Sequence, residues 1–148
     1  MNVHAQDPFR FLFVVALWLL AAASHAQTEG YVADIQLQST EEFAQLLSRA
    51  DALVQSGEVP LDGQPRVTFV MHGPGVRSLL RPAYLENKSV VDLAARLSAL
   101  GVIEIRACET WMGGNAIDPS ELQPFVGTVA SGRIEVERLV SERGYVKF

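Results

Sequence analysis

Apolar positions in this chain switch back and forth between strand-like and helix-like spacing. Tyr31-Val32-Ala33-Asp34-Ile35-Gln36-Leu37 alternates apolar and polar residues in its second half, which predicts a partly exposed strand. Ser39 with Glu42 then forms a capping box, because a hydroxyl and a carboxylate at that spacing satisfy free amides at a helix start. Phe43, Leu46, Leu47, Ala50, Leu53 and Val54 follow at helical intervals up to Gly57, a natural stop. Gly57 to Pro65, with Pro60 and Gly63, reads as a loop. Arg66 to His72 is apolar enough for a strand buried on both faces, and Gly73-Pro74-Gly75 breaks it at once.

A short helical turn through Val76, Leu79 and Leu80 precedes Pro82. Asn87 or Ser89 caps a second helix with Val90, Leu93, Ala94, Leu97 and Leu100 on one face, and Gly101 closes it. Val102, Ile103 and Ile105 open a strand that runs through Cys108 into a polar turn ending at Gly113-Gly114-Asn115. Asp118-Pro119-Ser120-Glu121 starts another helix, which Pro124 keeps short. Phe125 to Ala130 reads as a strand. Gly132 to Arg143 reads as a helix with Ile134, Val136, Leu139 and Val140 loosely periodic, and Gly144 as its cap. Tyr145 to Phe148 is a last short strand. Such alternation predicts an α/β fold, since right-handed crossovers lay the strands parallel and cover the sheet on both faces. No internal repeat or second domain interrupts it.

Composition changes the picture at one end. The chain has 148 residues, 49% hydrophobic and 20% charged, as a single folded domain would. Phe11 to Ala23 carries no charge, Arg10 precedes it, and Ser24-His25-Ala26 follows with small outer residues. That order is that of a secretory signal peptide, and the block is shorter than the roughly 20 residues of a membrane span. Residues 1–26 are therefore expected to be an export signal and residues 27–148 one domain in the periplasm or outside the cell, with no membrane contact after cleavage. Asp7 and Arg10 would leave together, so the net charge stays at −5, an acidic balance that excludes nucleic acid as a partner.

Cleavage would also remove His4 and His25, leaving His72 as the remaining histidine beside Cys108, the chain's one cysteine. One cysteine cannot staple the fold internally, so a free thiol in an exported protein calls for a role of its own. Ligands of parallel α/β sheets bind outside the carboxyl ends of the strands. His72 and Cys108 each end a strand, which makes them candidate catalytic residues on one rim. Gly73 and Pro74 beside the histidine, and Thr110 and Asn115 beyond the cysteine, are the candidate substrate-binding positions. A thiolate needs N–H groups or positive charge around it. Thr110, the amides of Gly113-Gly114, Arg106 and Arg77 are the expected suppliers, with Glu104 and Glu109 opposing. Trp111 and Met112 are expected in a lid or a subunit contact.

The blocks Val67-Thr68-Phe69-Val70-Met71-His72-Gly73-Pro74-Gly75 and Gly101-Val102-Ile103-Glu104-Ile105-Arg106-Ala107-Cys108, with Thr110, Ser131-Gly132 and Gly144-Tyr145, resemble the DsrE/DsrF-like sulfur-relay family, which includes small YchN-like proteins. The resemblance implies a three-layer α/β/α sandwich with a five-stranded, mainly parallel sheet, assembled as a homo-oligomer, a trimer or hexamer. It also implies a cysteine at the position of Cys108 that carries sulfur as a persulfide and passes it to a thiol-bearing partner protein. The relay members are cytoplasmic, whereas this chain carries an export-type N-terminus.

Three functions are thus open: a sulfur carrier or sulfurtransferase acting through Cys108, a non-catalytic binding or assembly module with Cys108 as core filler, and Cu(I) binding. The last would draw on Met71, His72, Cys108 and Met112, soft ligands that all lie at the two strand ends. No ligand-pair spacing such as CxxC supports it, and alternation sends Met71 and His72 to opposite faces. No cofactor is expected, and flavodoxin-type nucleotide binding is disfavoured because no Gly/Ser/Thr-rich phosphate loop follows the first strand.

Overall fold

The computed structural model describes residues 30–59, 61 and 64–147; the predicted signal segment, residues 1–26, lies outside them. The elements run β1 (Tyr31–Gln36), α1 (Thr40–Gln55), β2 (Val67–His72), α2 (Lys88–Ala99), β3 (Ile103–Cys108), α3 (Glu109–Gly114), β4 (Val126–Val129), α4 (Gly132–Arg143) and β5 (Val146–Lys147). The sheet is five-stranded and all parallel, in the order β4-β3-β2-β1-β5. β1 to β4 step across it in one direction, so right-handed crossovers put α1 and α2 on a common face. β5 lies on the far side of β1. The last connection therefore turns back across the sheet, and α4 covers the opposite face.

Alternation within the strands fills both layers. Ala33, Ile35, Phe69, Met71, Ile103 and Ile105 meet Phe43 and Leu47 of α1 and Ala94 and Leu97 of α2 in the main core. Val32 and Val70 face the other way and meet Val136 and Leu139 of α4 in a smaller one. A fully buried Leu or Phe contributes about 1.5–3 kcal/mol, so the first face carries most of the apolar stabilisation. The second is supplemented by charge. Glu135 of α4 accepts from Arg138 Nε at 2.9 Å and Nη2 at 2.7 Å, and from Arg106 of β3, whose guanidinium also pairs with Glu104 at 2.8 Å.

Local chemistry sets the element ends. Ser39 Oγ accepts from the Glu42 N–H at 3.3 Å, while Glu42 Oε2 accepts from the Gln38 N–H rather than that of Ser39. Gly57, Gly101 and Gly144, each with φ near +70°, end α1, α2 and α4. Three expectations need correction. The polar turn after Cys108 is a helix, α3, because Glu109 to Gly114 continues directly from the strand. The helix at Asp118 is a single 3-10 turn, Pro119–Glu121, although both capping-box bonds form, since Leu122 is extended and Pro124 follows. Met112 is fully buried in the main core and so is neither lid nor subunit contact.

Among the described residues, no helix is long and apolar enough to cross a membrane.

Candidate functional site

Three neighbouring strands each deliver one polar side chain to the same corner of the sheet. On β1, Ala33 and Ile35 point into the main core and Val32 to α4, so Asp34 lies on the α4 face. On β2, Met71 and Val70 make the same division and place His72 on the α4 face. Ala107 of β3 enters the main core, which turns Cys108 toward α4. Gln36 pairs with His72 and Met71 with Ala107 in the register. Continued by one residue, it sets His72 beside Cys108 on adjacent strands, roughly 5 Å apart in backbone. The shared rim expected for these two residues is therefore present.

A cleft of about 410 Å³ opens there, lined by Asp34, His72, Cys108, Thr110, Trp111, Ser131, Gly132 and Arg133. Cys108 is 7% exposed, but its sulfur is not enclosed by aliphatic groups alone. The Gly132 N–H, from the first turn of α4, donates to Cys108 Sγ at 3.3 Å. A side chain at this position would crowd the approach. A Cβ at position 132 would lie 3.1 Å from Val70 Cγ1 and 3.8 Å from the Cys108 sulfur. Free amides and the helix dipole at such an end favour negative charge on a group placed there.

His72 Nε2 is 2.9 Å from Asp34 Oδ1, with both side chains about 30% exposed. A carboxylate only accepts, so Nε2 carries the proton, and in the neutral ring Nδ1 is the free acceptor. Lys147 of β5 approaches the other Asp34 oxygen at 3.6 Å. The Thr110 hydroxyl donates to the Ala130 carbonyl at 2.6 Å, and so does its N–H at 3.2 Å. Two bonds thus tie the start of α3 to the turn before α4 and hold the cleft wall.

Other expected participants lie elsewhere. Arg106 is engaged by Glu104 and Glu135, and Arg77 Nη2 reaches the Asn115 carbonyl at 3.5 Å. Gly113 and Gly114 close α3, so the amide at the sulfur is that of Gly132 instead. Glu109, expected to oppose the thiolate, accepts from the Thr128 hydroxyl at 2.5 Å. Gly73, Pro74 and Asn115 are outside the cleft lining. The Gly73-Pro74-Gly75 turn lies tightly against Leu37: Gly73 has φ +93° and a Cβ there would lie 3.1 Å from the Leu37 carbonyl oxygen, while a Cβ on Gly75 would lie 2.7 Å from Leu37 Cβ. Met71 and Met112 are both in the main core, so the four soft side chains do not converge. Asp34 and Arg133 carried no functional signal along the chain, and Ser131-Gly132 stood out only as part of the family resemblance; the strand order joins all four to the thiol.

No family model matches the chain, and no curated protein matches it. Among solved structures, the protein of unknown function MTH1491 from Methanobacterium thermoautotrophicum is similar in fold. It aligns with a TM-score of 0.62 at 21% identity, over 81% of this chain and 97% of that one. Likeness at that identity carries the compact α/β fold and none of the chemistry.

Proposed function

We propose that this protein is a sulfur carrier in which Cys108 accepts a sulfane sulfur and yields it to an acceptor thiol. The observation that carries the reading is the Gly132 N–H on the Cys108 sulfur, within a cleft that the His72–Asp34 pair also lines. The resemblance of the Gly101–Cys108 block to the sulfur-relay proteins agrees with it. With thiosulfate as donor, the Cys108 thiolate attacks the outer sulfur and the S–S bond breaks with its electron pair leaving on sulfite. A persulfide anion remains on Cys108. An incoming thiolate then attacks the terminal sulfur, becomes the new persulfide and returns Cys108 to its thiolate. Gly132 and the first turn of α4 stabilise negative charge on the cysteine sulfur at both stages. Thr110 and Trp111 bound the space for the donor.

The test is intact mass after incubation with polysulfide or thiosulfate. A gain of one sulfur that is lost in Cys108→Ser is the expected result. No gain, or a gain that survives the substitution, rejects the reading.

The low exposure of Cys108 favours a second reading, a binding or assembly module in which the thiol is packing. It requires that a small alkylating reagent label native Cys108 only at the rate of global opening. Rapid labelling at neutral pH excludes it.

A further inference from the structure

We infer that Asp34 is a positioning residue for Cys108, acting through His72. The inference rests on the reading of Cys108 as the reacting group, and it names the control on that thiol. Three facts converge. Asp34, His72 and Cys108 occupy the same face of three adjacent strands and line one cleft. The Asp34 carboxylate receives His72 Nε2–H at 2.9 Å, which sets the ring's orientation and tautomer. Continued one residue past the Met71–Ala107 pair, the β2–β3 register sets His72 beside Cys108 on the adjacent strand, and both line the cleft. A carboxylate on the far nitrogen favours the protonated imidazole, and an imidazolium next to sulfur favours the thiolate. The charge of Asp34 thereby reaches the sulfur with its sign inverted.

That inversion separates this role from the simple one. As a bare negative charge near the thiol, Asp34 would disfavour the thiolate, and its removal would speed the reaction. Acting through His72, its removal slows it. The other charged groups facing the pair are Lys147 of β5, 3.6 Å from Asp34, and Arg133 at the start of α4. Arg133 is held by Glu137 at 2.8 Å. Glu42 and Arg49 of α1 share a separate groove with Asp34 along the edge of β1. Neither asparagine nor glutamine substitution within the pair alters the charge of these groups, although Asp34→Asn also removes the carboxylate that Lys147 approaches.

The experiment is iodoacetamide alkylation of Cys108 in the full chain at pH 6 and pH 10, followed by intact mass. The ratio of the two rates separates ionisation from access, because a change in access alters both alike. Asp34→Asn is expected to lower the pH 6 rate about tenfold relative to the pH 10 rate. His72→Gln should do the same. In the His72→Gln chain, the added Asp34→Asn should leave the ratio unchanged or raise it. A ratio unchanged or raised by Asp34→Asn alone overturns the inference, as does an equal fall in the His72→Gln background. Asp34→Ser replaces Asp34→Asn if the latter does not fold. Failure of sulfur loading with the His72-dependent fall intact would sink the sulfur-carrier reading alone. A Cys108 unreactive at both pH values would sink both.

Discussion

Replacing Gly132 with alanine tests how closely α4 is pressed onto the thiol. The added Cβ would come within 3.1 Å of Val70 Cγ1, about 0.3 Å short of the 3.4 Å at which ordinary contact begins. Val70 cannot yield easily. It is fully buried on β2, which β1 and β3 flank, and its β-branched side chain is stiff. The first turn of α4 must lift instead. Overpacking of this kind costs about 1–3 kcal/mol, and loss of glycine's backbone freedom in the unfolded chain returns about 0.5–1 kcal/mol.

The net expectation is a loss of about 1 kcal/mol, read as a urea midpoint lowered by about 0.5 M with the slope unchanged. The same displacement lengthens the Gly132 N–H to Cys108 contact beyond its present 3.3 Å. Alkylation at neutral pH, relative to pH 10, should then fall severalfold. A Gly132→Ala chain with an unchanged or higher midpoint and an unchanged rate ratio would refute the tight approach, and with it the claim that this amide tunes the sulfur.

Gly113→Ala is the matched control: nothing lies within 4 Å of its added Cβ, and the residue is inside α3, so a gain of about 0.5–1 kcal/mol in urea denaturation is expected. Glu135 gives a pH dependence. Hydrogen bonds from Arg138, then the charge of Arg106, hold its carboxyl below the ordinary range against the opposing effect of burial. A carboxyl lowered in the folded state adds stability above its unfolded range and loses it as pH falls through the folded value. Glu135→Gln should therefore cost about 1–2 kcal/mol at pH 7, and its urea midpoint should converge on that of the parent as pH falls through the lowered range of this carboxyl. A constant gap between the two would contradict this.

Much of the architecture was legible because each element carries its own punctuation. Ser39, Gly57, Gly101 and Gly144 act within a few residues of themselves, so α1, α2 and α4 could be bounded without knowing what they pack on. The rim was legible for a related reason: His72 and Cys108 end their strands in a parallel sheet. What could not be read was whatever depends on strand order. Asp34 lies mid-strand on β1 and acquires meaning only because β1 adjoins β2. Gly132 looks like an ordinary helix start until β5 is found beyond β1. Helix α4 was hardest for a physical reason. It buries Glu135 and leaves Ile134 and Val140 exposed, so its inward face is partly ionic and its apolar spacing misleads.

That same strand order explains why this thiol, among all strand-end positions, meets a helix amide. Every other connection begins at the carboxyl rim and turns toward the face carrying α1 and α2. Only β4 to β5 must return across three strands, and handedness sends it over the opposite face. Its helix therefore starts at the rim close to β3, where the Thr110 bonds to Ala130 secure the entry. Arg106, two residues before Cys108, grips Glu135, one turn into the same helix. The strand that presents the sulfur thus also anchors the helix whose first-turn amide donates to it. A weakened Arg106–Glu135 pair is expected to reach the cysteine through the Gly132 amide, and Glu135→Gln should slow neutral-pH alkylation relative to pH 10 while leaving the His72–Asp34 contact intact. If the thiol is indifferent to Glu135, stability and reactivity are separable here, and α4 is packing rather than part of the site.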